Sequence, residues 1–166
     1  MSAAPHQHIV TALVQNEAGT INRLVSLFRR RGFSLASFNA GDCEEEGFSR
    51  LTLLVNGDDT EVGQCVRQLE KLIDVVECDD LGPEQSISRE LALIRIDPSP
   101  EHRDAVISLA AEFMGKVVKD APAYVVIEVS DTPTRIERLI EAVRPLGLTE
   151  VVRTGLVAIR IDENSK

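Results

Sequence analysis

VQNEAGTIN, at residues 14–22, is the stretch that decides the fold. It follows an apolar run at residues 8–14 and precedes a helical pattern with apolar side chains at positions 21, 24, 25 and 28. This stretch is therefore predicted to be a turn from a strand into a helix. Such a turn leaves the first backbone N–H groups of the helix unpaired, and unpaired N–H groups favour a carboxylate or a phosphate.

Two residues of this turn are candidates for binding a small zwitterion. Gly19 has no side chain to keep a ligand away, and the amide of Asn16 both donates and accepts hydrogen bonds. The alternative is that Asn16 only caps the helix and that Gly19 only makes the turn. The local sequence leaves both interpretations open.

The first half of the chain has the order strand, helix, strand, strand, helix, strand. The first helix begins near Thr20 and ends at Gly32, and the second follows a turn and cap at residues 57–60. The predicted strands cover residues 8–14, 34–41, 48–56 and 75–81. This order is the split βαβ unit of ferredoxin-like folds, in which both helices cover one face of an antiparallel sheet.

The same order repeats after a break at residues 82–87, which is interpreted as a linker. Helices are predicted to start at Ser99-Pro100 and at Thr132-Pro133, because proline favours the first helical turn. The predicted strands cover residues 90–96, 116–120, 124–130 and 148–161, the last with a bulge or kink at Gly155.

The predicted fold class is α+β, with two ferredoxin-like βαββαβ domains. The domains cover residues 8–81 and 88–162, between a flexible leader at 1–7 and a tail at 163–166. Each small sheet leaves one face bare of its own helices, so we expect a dimer.

Charge and cysteine content exclude several classes of protein. The formal net charge of -9 and the pI near 4.8 argue against nucleic acid or an anionic membrane as a partner. No apolar run approaches the length that spans a membrane. Three cysteines without metal-like spacing fit a reduced interior, so a cytoplasmic location is expected.

Catalytic and metal-binding motifs are absent from the sequence. It contains no P-loop, no dinucleotide-binding glycine pattern and no HExxH, and no histidine forms a recognisable nucleophile motif. The acidic run at residues 44–46 is interpreted as a solvated hairpin loop and not as a metal site. The chain is therefore predicted to be non-catalytic and to hold no metal.

Several stretches, taken together, resemble the small regulatory subunit of acetolactate (acetohydroxyacid) synthase, which begins with an ACT domain. The resemblance runs from about residue 8 to residue 161. The stretches are NEAGTI at 16–21, LFRRRGFSLASF at 27–38, SRLT at 49–52, QLEKLIDV at 68–75, SREL at 88–91 and VRTG at 152–155.

The resemblance implies an ACT domain at residues 8–81 that forms a homodimer and binds a branched-chain amino acid, usually valine, at the dimer interface. It also implies activation and feedback control of a separate catalytic (large) subunit, which carries thiamine diphosphate, magnesium and FAD; this chain would hold no cofactor. The effector-binding residues that it implies are Asn16, Gly19, Thr20 and Ile21 at the turn, Ser34 and Leu35 from the partner domain, and Gln64 nearby.

One departure concerns the ligand. Ser34 stands where the best-known bacterial members have asparagine, which affects the expected affinity and the choice among valine, leucine and isoleucine. Two other functions are compatible with the sequence: a free-standing ACT-type amino-acid sensor that acts on another partner, and a small enzyme that uses Cys43 or His102.

Overall fold

The computed structural model describes residues 6–82 and 84–161. The chain divides into two units, of which the second is Ser88–Gly155 and the first comprises the residues up to Ile87 together with those from Leu156 onward. Most of the predicted leader, the tail and Pro83 of the predicted linker lie outside the described residues. His6 and Gln7, which the leader prediction included, begin the first strand.

The first unit is built around a four-stranded antiparallel sheet with strand order β2-β3-β1-β4. Its elements are β1 (His6–Gln15), α1 (Thr20–Arg31), β2 (Ser34–Asp42), β3 (Phe48–Gly57), α2 (Asp59–Leu69) and β4 (Val75–Leu81). This is the strand order of a ferredoxin-like unit, with β2 at one edge.

The two helices of this unit begin in different ways. Asp58 caps α2 through a reciprocal capping box with Glu61, in which the N–H of each residue donates to the side chain of the other. By contrast, α1 starts at Gly19 without any side-chain cap. The helix α1 ends at Gly32, as predicted. Three arginines occupy its last turn, and Gly32 closes it with a left-handed φ of 71°.

The core of the first unit lies between the sheet and the two helices. Alternate residues of the central strands face the helices, because successive side chains of a strand point to opposite faces. The buried core residues are Val10, Ala12, Val14, Leu24, Leu27, Phe28, Leu51, Leu53, Val55, Val62, Cys65, Leu69 and Cys78. In β2 the register shifts between Leu35 and Ser37, so a bulge at Ala36 interrupts the regular alternation of this strand.

The second unit repeats this arrangement with the order β6-β7-β5-β8. Its elements are β5 (Ser86–Ile96), α3 (Arg103–Glu112), β6 (Lys116–Asp120), β7 (Val125–Asp131), α4 (Pro133–Val143), a short 3₁₀ turn (Arg144–Leu146) and β8 (Leu148–Arg153). It has its own core of buried aliphatic residues from β5, β7, α3 and α4. Since β5 begins at Ser86, the last residues of the predicted linker are already strand.

The strand expected over residues 148–161 is instead two strands, β8 and a short β9 (Val157–Arg160) that pairs with β5. Gly155, with φ 79°, redirects the chain between them. The N–H groups of Leu156 and Ala158 then donate to the hydroxyls of Ser37 and Thr52, each at 3.4 Å. Leu156–Arg160 therefore packs in the first unit, whereas the sequence analysis grouped it with the second.

The α+β class with two ferredoxin-like units is confirmed. Each unit is an antiparallel sheet with two helices, in the same strand order. The sequence patterns reproduced the order of the elements because core-facing residues alternate in strands and recur at helical spacing in helices.

Candidate functional site

The turn between β1 and α1 is held in place by two backbone hydrogen bonds. The N–H of Gln15 donates to the carbonyl of Asp74, and the N–H of Asn16 donates to the carbonyl of Gly47, each at 2.8 Å. The Asn16 side chain is exposed, and α1 has no side-chain cap, so Asn16 does not cap the helix. The Asn16 amide is therefore available to a ligand.

Gly19 is the residue at which the chain enters α1. Its φ of 95° is in the left-handed region, where glycine is favoured over residues with a side chain. The N–H of Thr20 donates to the carbonyl of Glu17 at 3.2 Å. The N–H of Thr20, one of the residues that the resemblance implied for effector binding, is therefore already engaged.

The next two N–H groups of α1 are the open donors of the turn. Within residues 6–82 and 84–161, no hydrogen-bond acceptor is recorded for the N–H groups of Ile21 and Asn22. No acidic side chain lies in the first turn of this helix. Unpaired donors and the positive end of the helix dipole together favour an anion, such as an amino-acid carboxylate.

The sequence analysis missed an ion pair beside this turn. The Nε of Arg23 donates to Oδ2 of Asp74, and the Asp74 side chain is only 4% exposed. This hydrogen bond is the main reason why the pKa of the Arg23 guanidinium is raised, so Arg23 stays a cation. Asp74 follows α2 and lies 51 residues from Arg23 in the chain, so no local pattern links the two.

Thr20 and Ile21 point in different directions. Thr20 is 3% exposed, and its hydroxyl lies 3.4 Å from Nη2 of Arg23. Ile21 is 42% exposed, and Val25, one turn further along α1, is 51% exposed. The apolar pattern that predicted α1 therefore includes two residues that are not buried. Ile21 and Val25 form an apolar strip on the surface.

Ser34 and Leu35 lie at the other end of α1. Ser34 begins β2, and its hydroxyl accepts a hydrogen bond from Nδ2 of Asn56 at 3.1 Å. Leu35 is partly buried against the core. Because α1 has 12 residues, its ends are about 18 Å apart. One copy of the chain therefore does not bring Ser34 together with Gly19.

Gln64 is exposed on α2. In the part of the chain that the structure describes, no hydrogen bond joins its side chain to the turn. Its predicted place near the ligand stays a prediction.

The residues considered for catalysis have ordinary structural surroundings. The His102 ring lies 3.1 Å from the Ser99 hydroxyl in the turn before α3, and the Cys43 thiol lies 3.6 Å from the Glu45 carbonyl. Burial raises the pKa of Cys65 and of Cys78 to about 12, which disfavours the nucleophilic thiolate. Among the described residues, no group of three or more His, Cys, Asp or Glu side chains could hold a metal ion.

A helix that crosses a bilayer needs about 20 predominantly apolar residues. Within the described ranges, no helix is both long and apolar enough to cross a membrane.

Comparisons with known proteins match both units. Residues 10–77 match the family model described as the AHAS small subunit-like ACT domain, and residues 89–161 match the model described as the small subunit of acetolactate synthase. The acetolactate synthase small subunit of Aquifex aeolicus is 38% identical over 161 residues, covering 96% of this chain and 84% of that protein.

Two further relatives agree. The probable acetolactate synthase small subunit of Methanothermobacter thermautotrophicus is 35% identical and covers 93% of each chain. The crystal structure of the acetolactate synthase small subunit from Thermotoga maritima superposes with a TM-score of 0.88 at 32% identity, over 95% of this chain and 99% of that one.

Proposed function

Because the chain belongs to the acetolactate synthase small-subunit family, which is regulatory, we propose that it activates a separate catalytic subunit and makes it sensitive to a branched-chain amino acid. Valine is the proposed effector. Thiamine diphosphate, magnesium and FAD belong, in this proposal, to the catalytic partner. The family matches extend through both units, which does not favour a free-standing ACT-type sensor.

The uncapped start of α1 is the observation that carries this proposal. An α-amino acid has a carboxylate that suits the open N–H groups of Ile21 and Asn22, and an ammonium group that suits the carbonyl oxygen of the Asn16 amide. The left-handed Gly19 leaves room for the ligand head.

A second copy of the chain would complete the site. The β2 strand lies at the edge of its sheet, and Ile21 and Val25 expose apolar surface on α1. If two such helices pack antiparallel, the start of one lies beside the end of the other. This packing places Ser34 and Leu35 of one copy near Gly19 of its partner, so the effector side chain binds at the interface.

Regulation then follows from differential binding. An effector that contacts both copies stabilises one arrangement of the dimer, and the catalytic subunit responds to that arrangement. A coupling free energy of about 1–3 kcal/mol between the two binding events, or roughly 5- to 150-fold in affinity, is typical of such control.

The test is Gly19→Asp, measured beside Gly19→Asn. Both variants place a side chain at the same left-handed residue, but only aspartate adds a negative charge at the proposed carboxylate site. We expect calorimetry to show that Gly19→Asp loses valine binding and effector inhibition while it still activates the catalytic subunit. Gly19→Asn should retain more of the affinity, because asparagine tolerates the left-handed conformation and carries no charge.

Two results would contradict the proposal. Valine binding to Gly19→Asp that equals binding to the unchanged chain would rule out this placement of the effector. Failure of valine, leucine and isoleucine to bind, both to the chain alone and to its complex with the catalytic subunit, would rule out effector control. Asn16→Ala provides a second probe of the same site and should also weaken binding.

A further inference from the structure

The Arg23 guanidinium reaches three different groups around the turn. Its Nε donates to Asp74, and its Nη2 lies 3.4 Å from the Thr20 hydroxyl. Its Nη1 lies over Gly19, since a Cβ built on that glycine would be 3.2 Å from this nitrogen. Among the residues that the structure describes, no acceptor is recorded for Nη1.

We propose that Arg23 is a further effector-binding residue, whose Nη1 binds the carboxylate of the amino acid while its Nε stays on Asp74. This inference rests on the proposed function, and it adds a side-chain cation to the backbone donors of Ile21 and Asn22. A guanidinium is suited to this task because its planar set of five N–H donors can serve two carboxylates at once.

Asp74 has the complementary role of positioning Arg23. Its carboxylate is nearly inaccessible to water, so it depends on Arg23 to balance its charge and fixes the guanidinium against the turn. Its backbone carbonyl also accepts the hydrogen bond from Gln15, just before the turn. An incoming carboxylate shares the cation with Asp74, so effector binding weakens the hold on the loop between α2 and β4.

This loop presents an exposed side chain next to the buried Asp74. Ile73 is 88% exposed, although Asp74 beside it is buried. A change in the Arg23–Asp74 bond therefore alters a surface segment that is otherwise fixed to the effector turn. In this proposal, the loop between α2 and β4 transmits the occupancy of the effector site to the protein surface.

The first experiment compares L-valine with L-valinamide, which lacks the negative carboxylate. We expect Arg23→Gln to weaken valine binding by about 10- to 100-fold, the usual effect of losing a hydrogen bond to a charged group, and to leave valinamide binding unchanged. Arg138→Gln, at an exposed arginine of the second unit, is the matched control and should change neither affinity.

Because Arg23→Gln alone leaves the buried Asp74 without its cation, the double variant Arg23→Gln with Asp74→Asn is measured as well. It should fold normally and show the same loss of preference for valine over valinamide. Asp74→Asn alone should weaken valine binding less than Arg23→Gln does, because the guanidinium keeps its charge but loses the carboxylate that positions it. An equal loss of both ligands in the double variant would show that Arg23 is only structural, and would overturn the inference.

The second experiment uses Ile73→Trp as a fluorescent reporter, because the chain contains no other tryptophan. Valine should change its emission, and the change should disappear in the Arg23→Gln background at saturating valine. An unaltered change in that background would refute the coupling through Asp74. If the unchanged chain binds valine but Arg23→Gln binds it equally well, this inference fails while the proposed function stands.

Discussion

The same corner of the fold occurs twice in this molecule, with different groups at the start of the helix. Four residues connect β1 to α1, and the first turn of α1 holds open N–H groups, no acid and a nearby guanidinium. Six residues connect β5 to α3; they include Pro98 and Pro100, and Asp104 lies in the first turn of the helix. An anion is favoured at the first corner and disfavoured at the second.

The arginines at the two corners show the same contrast. Arg103 of α3 donates to the carbonyls of Ala121 and Pro122 and pairs with Asp120, so it ties the helix to the β6–β7 hairpin. Arg23 keeps one nitrogen directed at the turn. The ferredoxin-like topology therefore supplies the corner, whereas a few residues decide whether the corner binds anything.

The largest expected effect tests whether the two units are stable independently. Leu53→Ala in the first unit and Ile127→Ala in the second each remove a side chain that is 0% exposed. We expect each to lower the free energy of unfolding of its own unit by about 3–5 kcal/mol, because the core cannot close the cavity completely. Chemical denaturation measures the free energy of unfolding, and valine titration at increasing denaturant concentration reports on the first unit.

In Leu53→Ala, valine binding should be lost at a lower denaturant concentration than in the unchanged chain. In Ile127→Ala, it should be lost at the same concentration as in the unchanged chain. A single transition that shifts equally in both variants would show that the units unfold as one, and would contradict the comparison.

The next prediction concerns the Glu90–Arg153 ion pair of the second unit, which we expect to be structural, in contrast to the Arg23–Asp74 pair at the turn. Both oxygens of the buried Glu90 accept from Arg153 at 2.8 Å, and Nη1 of Arg153 donates to Glu137 at 2.9 Å, so all three nitrogens of this arginine are engaged. Arg153→Leu should destabilise the second unit by about 2–3 kcal/mol, below the range for a fully buried pair because Arg153 is one-third exposed.

Thermal unfolding measures this effect, and calorimetry should show unchanged valine affinity. Replacing both partners, with Glu90→Leu in addition, should recover most of the loss, since no buried charge is then left alone. A fall in valine affinity upon Arg153→Leu would mean that the two ion pairs are not distinct in function.

The smallest effect uses the three cysteines, Cys43, Cys65 and Cys78, all of which lie in the first unit. Burial raises the pKa of the Cys65 and Cys78 thiols from near 9 to about 12. Between these values the unfolded state holds fewer protons, so the free energy of unfolding of the first unit falls as pH rises.

Urea titrations at pH 8 and pH 10 would measure this slope, with the Cys65→Ala, Cys78→Ala variant as the control that should flatten it. Thiol labelling at pH 8 should modify Cys43 first and the other two only when the first unit opens. Equal labelling of all three in the folded chain would contradict the burial that the structure shows.

Much of this architecture was predictable from the sequence, because most of its rules are local. Gly32 after three arginines marked the end of α1, and the alternation of Leu51, Leu53 and Val55 marked the core face of β3. The start of α3 was placed too early, at Ser99-Pro100. In the structure, residues 99–102 form a turn closed by His102 N–H on the Ser99 carbonyl, and the helix begins at Arg103.

The candidate site was only half predictable from the sequence. Asn16 and Gly19 could be predicted because they belong to one turn of consecutive residues. The Arg23–Asp74 pair depends on how β1, α1 and β4 meet, and nothing between these two residues in the chain indicates it. The return of Leu156 to the first unit was missed for the same reason, because an apolar alternation does not reveal which sheet it joins.

That return has a consequence for how the protein is made. A ribosome delivers residues 6–87 first, then the whole second unit, and only afterwards the segment whose N–H groups bind Ser37 and Thr52. The unit that carries the β1–α1 turn is therefore completed last, although it begins first, while the second unit emerges as one uninterrupted stretch. Until β9 is synthesised, the nascent first unit lacks its final strand, and the Ser37 and Thr52 hydroxyls face water.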